Sequence, residues 1–451
     1  MEIKIYNTLS KEIETFKPLI KGEVSMYHCG PTVYDTPHIG NYRTFVLNDL
    51  IRRIFEYNEY TVHQAMNITD VDDKIIRRVQ EEKTSLKEFT GKYESLFLEE
   101  LKSLNILLPT HLIRATEYIP AMVELIEDLL KKGIAYKADD GVYMNIGKVK
   151  NYGQLAHLKI ENETEDHARI SNDEYDKENP HDFALWKFKS KNDGDVSWSA
   201  PFGEGRPGWH IECSAMALKV LGPQIDIHTG GMDLIFPHHT NEIAQSESAT
   251  GQQFVTYWMH GAFMNTNDEK MAKSQGNFAK LETLKEETIS PLAFRYWLLT
   301  AHYRSPINFT LEAVSGAQNA LIKLLTAVSN FPDGGSVSVD YKSRFLTLVN
   351  DDLDMPKAVA LVWELIKDSD VADADKRATL LDFDAVFGLN LGSVNKVVEE
   401  AIPIEITVLA EAREEARKEK DWEKADALRN EIESRGFTVS DTAEGIRISS
   451  L

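Results

Sequence analysis

Val24-Ser25-Met26-Tyr27-His28-Cys29-Gly30-Pro31-Thr32-Val33-Tyr34-Asp35-Thr36-Pro37-His38-Ile39-Gly40-Asn41 is the stretch whose reading decides the fold. Its first six residues alternate as a strand does, Gly30-Pro31 marks a turn, and Pro37 to Asn41 opens the amphipathic run Tyr42 to Tyr57. The order is strand, loop, helix N-terminus. The first amides of a helix have no partner inside it and carry a partial positive charge, so a phosphate can sit there, and Gly40 lets a nucleotide approach the backbone. His38 and Asn41, three residues apart, are placed to donate hydrogen bonds to a phosphorus under attack.

Working outward, Thr61 to Asn67 reads as the next strand, which gives a strand-helix-strand unit and a parallel sheet. Helical periodicity runs from Leu86 to Lys132, and Asn151 to Gly208 is polar with little regular pattern. The region of about 86–208 is therefore expected as an insertion between two halves of a nucleotide fold. The second half resumes at Ile225 to His228, which runs into Thr229-Gly230-Gly231, and at Tyr257 to His260. A second phosphate-handling motif follows: Lys270-Met271-Ala272-Lys273-Ser274, ahead of Gly276 in a loop, whose cations could neutralise a departing pyrophosphate. From Thr310 the pattern is helical, broken by the linker-like Pro332 to Ser336. After Ile402-Pro403 two charged helices, Val408 to Lys420 and Trp422 to Arg435, precede a short β-like tail. The expectation is an α/β protein: a split Rossmann-like catalytic domain over 1–305, a helical bundle over 306–395 and a small C-terminal module over 400–451.

The 451 residues suffice for several domains, each with its own core. The first twenty carry Lys4, Glu12 and Lys17 with no continuous apolar run, and nothing later approaches the roughly 20 apolar residues of a membrane span, so a cytoplasmic protein without a membrane is expected. Two cysteines are too few for a disulfide framework. A net charge of −22 repels nucleic acid at long range, which leaves docking on local basic patches as the route for an RNA partner.

His238 and Glu242, four apart after Pro237, are expected on one helix face. With Cys29 and Cys213 they would make a set of two thiolates, an imidazole and a carboxylate, as four-coordinate zinc accepts. The same residues can equally be two apolar core thiols and a helix-surface pair, and His239, His210 and His228 compete as ligands.

The two separated motifs resemble the HIGH and KMSKS signatures of class I aminoacyl-tRNA synthetases. Cys29 to Asp35, Asn67 to Lys74, Gly205 to Met216, Phe236 to His239, Tyr303 to Phe309, the stretch around Asp351 to Asp354, and Lys418 to Trp422 resemble the cysteinyl-tRNA synthetase family, over essentially the whole chain. The resemblance implies ATP-dependent activation of L-cysteine to cysteinyl-adenylate, transfer to the 3′ end of tRNA(Cys), magnesium on the ATP phosphates and a monomer. It implies one zinc in the amino-acid pocket, held by Cys29, Cys213, His238 and Glu242. A thiolate is a good zinc ligand and a hydroxyl a poor one, so coordination separates cysteine from serine where packing would not. The resemblance also implies that His38, Asn41, Lys270 and Lys273 serve catalysis, with Lys273 the principal phosphate lysine. His38, Gly40, Asn41, Gly231, Asp233 and Lys273 would bind ATP, and Thr69 and Trp209 would line the amino-acid pocket. Residues Val408 to Ile448 would contact the anticodon side of the tRNA.

Asn41 stands where the signature has its second histidine, Ala272 where it has a serine and Gln275 where leucine is usual; Thr229 and Thr240 replace a common glycine and glutamate. One lost charge-assisted donor costs about 2 to 4 kcal/mol, which reduces activity without abolishing it. Two rival readings are a ligase joining cysteine to a small amine, like the related mycothiol-pathway enzymes, and a non-catalytic RNA-binding paralogue.

Overall fold

The computed structural model describes residues 1–158, 182–266, 269–270, 279–393, 404–418, 421–435, 437–442 and 445–450. The chain divides into two compact units, Met1–Leu391 and Gly392–Leu451.

The first unit opens with a hairpin, β1 (Lys4–Asn7) and β2 (Glu12–Thr15), and then builds the expected unit from β3 (Glu23–His28), α1 (Ile39–Tyr57) and β4 (Thr61–Ile68). Helices α2 (Asp73–Glu82) and α3 (Leu86–Ser103) lead to β5 (His111–Arg114) and α4 (Ile119–Lys131). Strands β6 (Ala135–Lys137), β7 (Gly141–Met144), β8 (Phe183–Phe188) and β9 (Gly205–Pro207) form an antiparallel sheet of their own. Next come α5 (Trp209–Leu221), β10 (Ile225–Gly231), α6 (Thr240–Thr250) and β11 (Val255–Gly261). Strand β12 (Met264–Thr266) pairs with both β13 (Glu269–Lys270) and, after α7 (Leu281–Glu286) and α8 (Pro291–Leu299), β14 (Ile307–Phe309). Helices α9 (Leu311–Asn330), α10 (Val339–Val349), α11 (Met355–Lys367) and α12 (Asp373–Phe387) complete the unit.

The central sheet is all parallel, in the order β11-β10-β3-β4-β5. Apart from the edge strand β5, its strands are largely buried on both faces. Val24 and Met26 of β3 pack with α1 residues such as Phe45 and Ile51, while Tyr27 packs on the other side with Ile126 of α4 and Met216 of α5. The chain builds β3, β4 and β5 outward in one direction and then returns to add β10 and β11 on the other flank of β3. The strand order therefore reverses between β3 and β10, where parallel sheets open a crevice at the strands' carboxyl ends.

Two details depart from the sequence reading. The stretch 86–208 read as an insertion contains β5, a strand of the central sheet; four residues between helices give too short a period-2 signal to register. The helix expected from Pro237 begins instead at Thr240, and His238 lies in the tight turn Ile235–His239 before it, because Phe236 has extended backbone angles (φ −138°, ψ 130°).

The helices over 306–391 pack in the same compact unit as the sheet, and a buried ionic clasp joins them to it. Asp49 of α1 accepts from Arg53 Nε (2.8 Å) and Arg295 Nη2 of α8 (2.5 Å). Arg295 also donates to the carbonyls of Leu104 (3.0 Å) and Phe387 (2.7 Å), and Arg53 to those of Asn105 (2.8 Å) and Ala385 (3.0 Å). Two arginines on one carboxylate thus hold the ends of α3 and α12 to α1 and α8. Gly388, with φ +65° after α12, is needed here because a Cβ would lie 2.6 Å from Arg295 Nη2.

A second joint ties the N-terminal hairpin to the loop before α11. Asp352 accepts from the Tyr6 amide (2.8 Å), the Tyr303 hydroxyl (2.6 Å) and Arg304 Nε (2.7 Å), and Lys4 bonds Asn350 and Asp352 through its backbone. The strings Tyr303 to Phe309 and Asp351 to Asp354 are therefore architecture.

The second unit, taken by itself, packs α13 (Ile404–Lys418) against α14 (Trp422–Ser434) and the hairpin β15 (Phe437–Thr442) and β16 (Gly445–Ser450). Ile406, Ala410, Ile432 and Val439 form its small core.

Candidate active site

The crevice at the sheet reversal is a cavity of about 460 Å³. It is lined at the end of β3 by Cys29 and Gly30, beyond β4 by Thr69, at the end of β10 by Gly231 and Asp233, and at the end of β11 by Gly261. His38, Gly40 and Asn41 at the start of α1 enter from above, with Trp209 and Cys213 of α5 and His238 completing the wall. Every site residue inferred from the sequence lines it except Glu242, Lys270 and Lys273. Glu242 lies just beneath, Lys270 is placed by the β12–β13 pairing, and Lys273, with the rest of its motif from Met271 to Ser274, falls outside the described residues.

At the nucleotide end His38 is the N-cap of α1 and its amide donates to Asn41 Oδ1 at 3.2 Å, so Asn41 uses its oxygen to close the helix start and keeps its NH2 as the donor group. Ala279, just after the second motif, accepts from the Ile39 amide (2.9 Å), and Lys280 Nζ donates to Asp35 (2.9 Å). The far root of that motif is thus pinned to the start of α1. Asp233 sits exposed in a short turn, Met232–Leu234, after β10.

At the other end Asn67 holds β3 and β4 together. Its Oδ1 accepts from the Gly30 amide (2.9 Å) and its Nδ2 donates to Thr69 Oγ1 (3.1 Å), which donates on to Glu212 (3.2 Å). Burial, the neighbouring Cys213 and two aspartates push the Glu212 carboxyl well above its ordinary range. Gly30 has no room to change: a Cβ there would lie 1.6 Å from the Asn67 carbonyl oxygen. Gly30→Ala is expected to cost about 1–3 kcal/mol or more of stability by overpacking and to displace Cys29; denaturation midpoints and metal content of the variant would check both. Trp209 stacks on His238 with ring centroids 4.3 Å apart, a wall of the cavity.

The metal-compatible donors meet at the floor. Cys29 Sγ lies 3.8 Å from Cys213 Sγ and 3.8 Å from Glu242 Oε1, and His238 Nε2 lies 3.1 Å from that same oxygen. Ligand atoms of Cys29, Cys213, His238 and Glu242 all fall within 4.8 Å of one another, as do those of an overlapping set, Cys29, His228, His239 and Glu242. Only the first set opens onto the cavity through three of its members; His228 and His239 are fully buried behind it. They act on the donors from behind. His228 Nε2 meets Glu242 Oε2 at 3.0 Å, His210 Nδ1 meets His238 Nδ1 at 2.9 Å, and His239 is held through His260 (2.8 Å) to Thr8 (2.8 Å). Such partners fix the orientation of ligands.

Electrostatics agree with this geometry. The Cys29 hydrogen bond draws the Cys213 thiol down to about 6, and the same contact with burial pushes Cys29 well above the ordinary thiol range. Against burial, the Cys213 thiolate and Glu242 lift His238 to about 10. Against burial again, His228 and His238 hold Glu242 at about 2. These shifts favour a thiolate at Cys213 and a carboxylate at Glu242 facing an imidazolium at His238 and a protonated thiol at Cys29. The sequence marks His210, His228 and His239 as competing ligands, but neither their place behind the site nor His260 and the role of Asn67 follow from spacing, because only the fold brings these residues together.

The sheet order, the crevice at its reversal and the helix start over it define the catalytic fold of the class I aminoacyl-tRNA synthetases. The family of tRNA synthetases class I (C), catalytic domain, matches residues 15–319, and the Cysteinyl-tRNA ligase anticodon binding domain family matches residues 400–447. In fold the chain is similar to Mycobacterium tuberculosis methionyl-tRNA synthetase in complex with methionyl-adenylate (TM-score 0.55, 16% identity, covering 86% of this chain and 94% of that one). It is 41% identical to the cysteine–tRNA ligase of Brachyspira hyodysenteriae, covering 99% of each chain, and 40% identical to that of Chlamydia muridarum, covering 100% of each. The chain belongs to the cysteine–tRNA ligase family.

Proposed function

We propose that this chain activates L-cysteine with ATP and transfers the cysteinyl group to the 3′ end of tRNA(Cys), with zinc held by Cys29, Cys213, His238 and Glu242. One observation carries the reading: a single cavity joins a sulfur, nitrogen and oxygen donor set to the start of α1, where helix amides can take a phosphate. Two thiols, an imidazole and a carboxylate are a donor set that zinc accepts. When bound, zinc supplies coordination that a cysteine thiolate satisfies and a serine hydroxyl does not.

In this reading Thr69 and Trp209 line the amino-acid position, and Gly231 and Asp233 hold the ribose of ATP. The cysteine carboxylate attacks the α-phosphorus while His38, Asn41 and the amides beside Gly40 stabilise the charge that develops, and pyrophosphate leaves with its magnesium toward Lys270 and Lys273. The Gly392–Leu451 unit contacts the anticodon side of the tRNA. We place the protein in the cytoplasm as a monomer; among the described residues no helix is long and apolar enough to cross a membrane.

The test is cysteine-dependent exchange of pyrophosphate into ATP on metal-loaded protein, with serine as competitor and tRNA charging on the same preparation. Exchange with cysteine alone, together with charging, is the expected result. Exchange without charging would point to a small-amine ligase, and neither to a non-catalytic paralogue.

Metal loading carries its own prediction. Ligands must be deprotonated; near pH 7.5 Cys213 and Glu242 already are, whereas Cys29 and His238 are not. Zinc uptake by the metal-free protein is expected to expel one proton from Cys29 and one from His238, so affinity rises with pH until those groups ionise. Below about 6 the Cys213 thiolate is lost too and affinity falls more steeply. Titration calorimetry in buffers of different ionisation enthalpy reads the proton count, and a pH-independent affinity would contradict it.

A further inference from the structure

Lys74, the second residue of α2, is exposed and is the only lysine or arginine lining the cavity among the described residues. Its ammonium sits 5.4 Å from the centroid of the Tyr34 ring, itself part of the lining. A cation over an exposed ring gains roughly 0.5–1 kcal/mol, enough to bias where the ammonium rests and too little to occupy it.

The two acids beside Lys74 are engaged elsewhere. Asp72 accepts from the backbone amide of Lys74 (2.9 Å) as the helix cap, and Asp73 is paired with Lys187 (3.0 Å) and Arg206. No carboxylate pairs with the Lys74 ammonium among the described residues. In a chain of net charge −22 this lysine stands out as a cation left available at the one cavity where anionic substrates meet.

Its place decides which anion it serves. The triphosphate belongs to the start of α1 and the ribose of ATP to Gly231 and Asp233, whereas Lys74 lies beyond β4 on the Thr69 side, next to the amino-acid position. Two anions are still without a counter-charge: the cysteine carboxylate, which loses its charge on activation, and the acceptor strand, which keeps its charge and whose terminal ribose must reach the activated carbonyl.

We propose that Lys74 binds a phosphodiester at the 3′ end of the tRNA and guides the terminal ribose into the cavity. This rests on the function proposed above. It makes Lys74 a substrate-binding residue of the transfer step, silent in activation.

The test uses the full-length, metal-loaded protein and its Lys74→Ala and Lys74→Arg variants, with two assays. Cysteine-dependent pyrophosphate exchange is expected to stay within about twofold of the parent for Lys74→Ala. Transfer to tRNA is expected to lose about tenfold in kcat/KM, as one charge-assisted hydrogen bond is worth. Its dependence on log salt should flatten by about 0.7, the share of one phosphate on a single strand. Lys74→Arg should restore both. A tRNA carrying an uncharged methylphosphonate at its last internucleotide linkages should lose the same factor with the parent and nothing further with Lys74→Ala. An equal loss in exchange and transfer would assign Lys74 to ATP or cysteine and overturn the proposal, as would transfer unchanged in rate and salt slope. A parent that gives no exchange with cysteine would instead overturn the proposed function itself.

Discussion

Cys213→Ala is expected to empty the metal site and lower kcat/KM for cysteine activation roughly 10³-fold, which corresponds to about 4 kcal/mol of lost transition-state binding. The side chain is buried, ionised near neutral pH and aimed at the floor of the cavity between Cys29 and His238. Removing it takes a sulfur ligand and leaves His238 facing a hole. The overlapping donor set makes the experiment decisive, because Cys29 and Glu242 belong to both sets while Cys213 and His238 belong only to the one that opens on the cavity. His228→Gln should therefore keep its metal, with a loss nearer the 10- to 100-fold typical of an outer partner. Metal retained in Cys213→Ala and lost in His228→Gln would move the site to the buried set and remove the argument for thiol selection. Discrimination against serine should fall together with metal content, since the two have one cause.

Arg295→Ala is expected to destabilise the first unit by about 3–5 kcal/mol, the cost of removing one partner from a buried ionic contact. Asp49 would keep Arg53 and the Leu107 amide (2.9 Å), and the carbonyls of Leu104 and Phe387 would lose the arginine as donor in a region without solvent. Lysine should not restore it, because a single ammonium cannot reach a carboxylate and two carbonyls in three directions as the planar fork does. Replacing both, Asp49→Leu with Arg295→Met, should cost less than Asp49→Leu alone, which leaves Arg53 and Arg295 without their carboxylate. The midpoint of chemical denaturation of the four proteins measures this; a double variant as unstable as the sum of the singles would show that the clasp holds shape rather than balancing charge. Activity at low temperature should survive in Arg295→Ala, since the clasp lies away from the cavity.

The sheet was legible because its longer strands alternate or run apolar for six or more residues between Gly-rich turns, and because Pro37 to Asn41 marks a helix start with its ligand-facing chemistry exposed. β5 was not, since four residues on the sheet's edge carry too little period. The donor set was legible only as a possibility. Spacing says that His238 and Glu242 can meet, and they do, but by way of a turn rather than the helix face inferred. Nothing in spacing says that Cys213, in the middle of α5, reaches Cys29 at the end of β3; that needed the resemblance first and the geometry afterwards. His210, His228 and His239 were legible only as competing ligands; their supporting role, His260 and the clasp at Asp49 were illegible for the same reason. Each is a long-range meeting of ordinary residues, and its signal exists only after folding.

The bond from the Tyr6 amide to Asp352 spans 346 residues. During synthesis the first strand leaves the ribosome long before the aspartate that completes it. At about 5–20 residues per second, roughly 20–70 s pass between the two. Strand β11 can hold the far end of β1 earlier, through Asn7 and Thr8 to Trp258, so what waits for Asp352 is the stretch from Lys4 to Tyr6, although it is among the first parts to be made. A nascent chain halted before residue 352 should remain open to protease around Lys4 to Tyr6, and a chain released beyond it should close there.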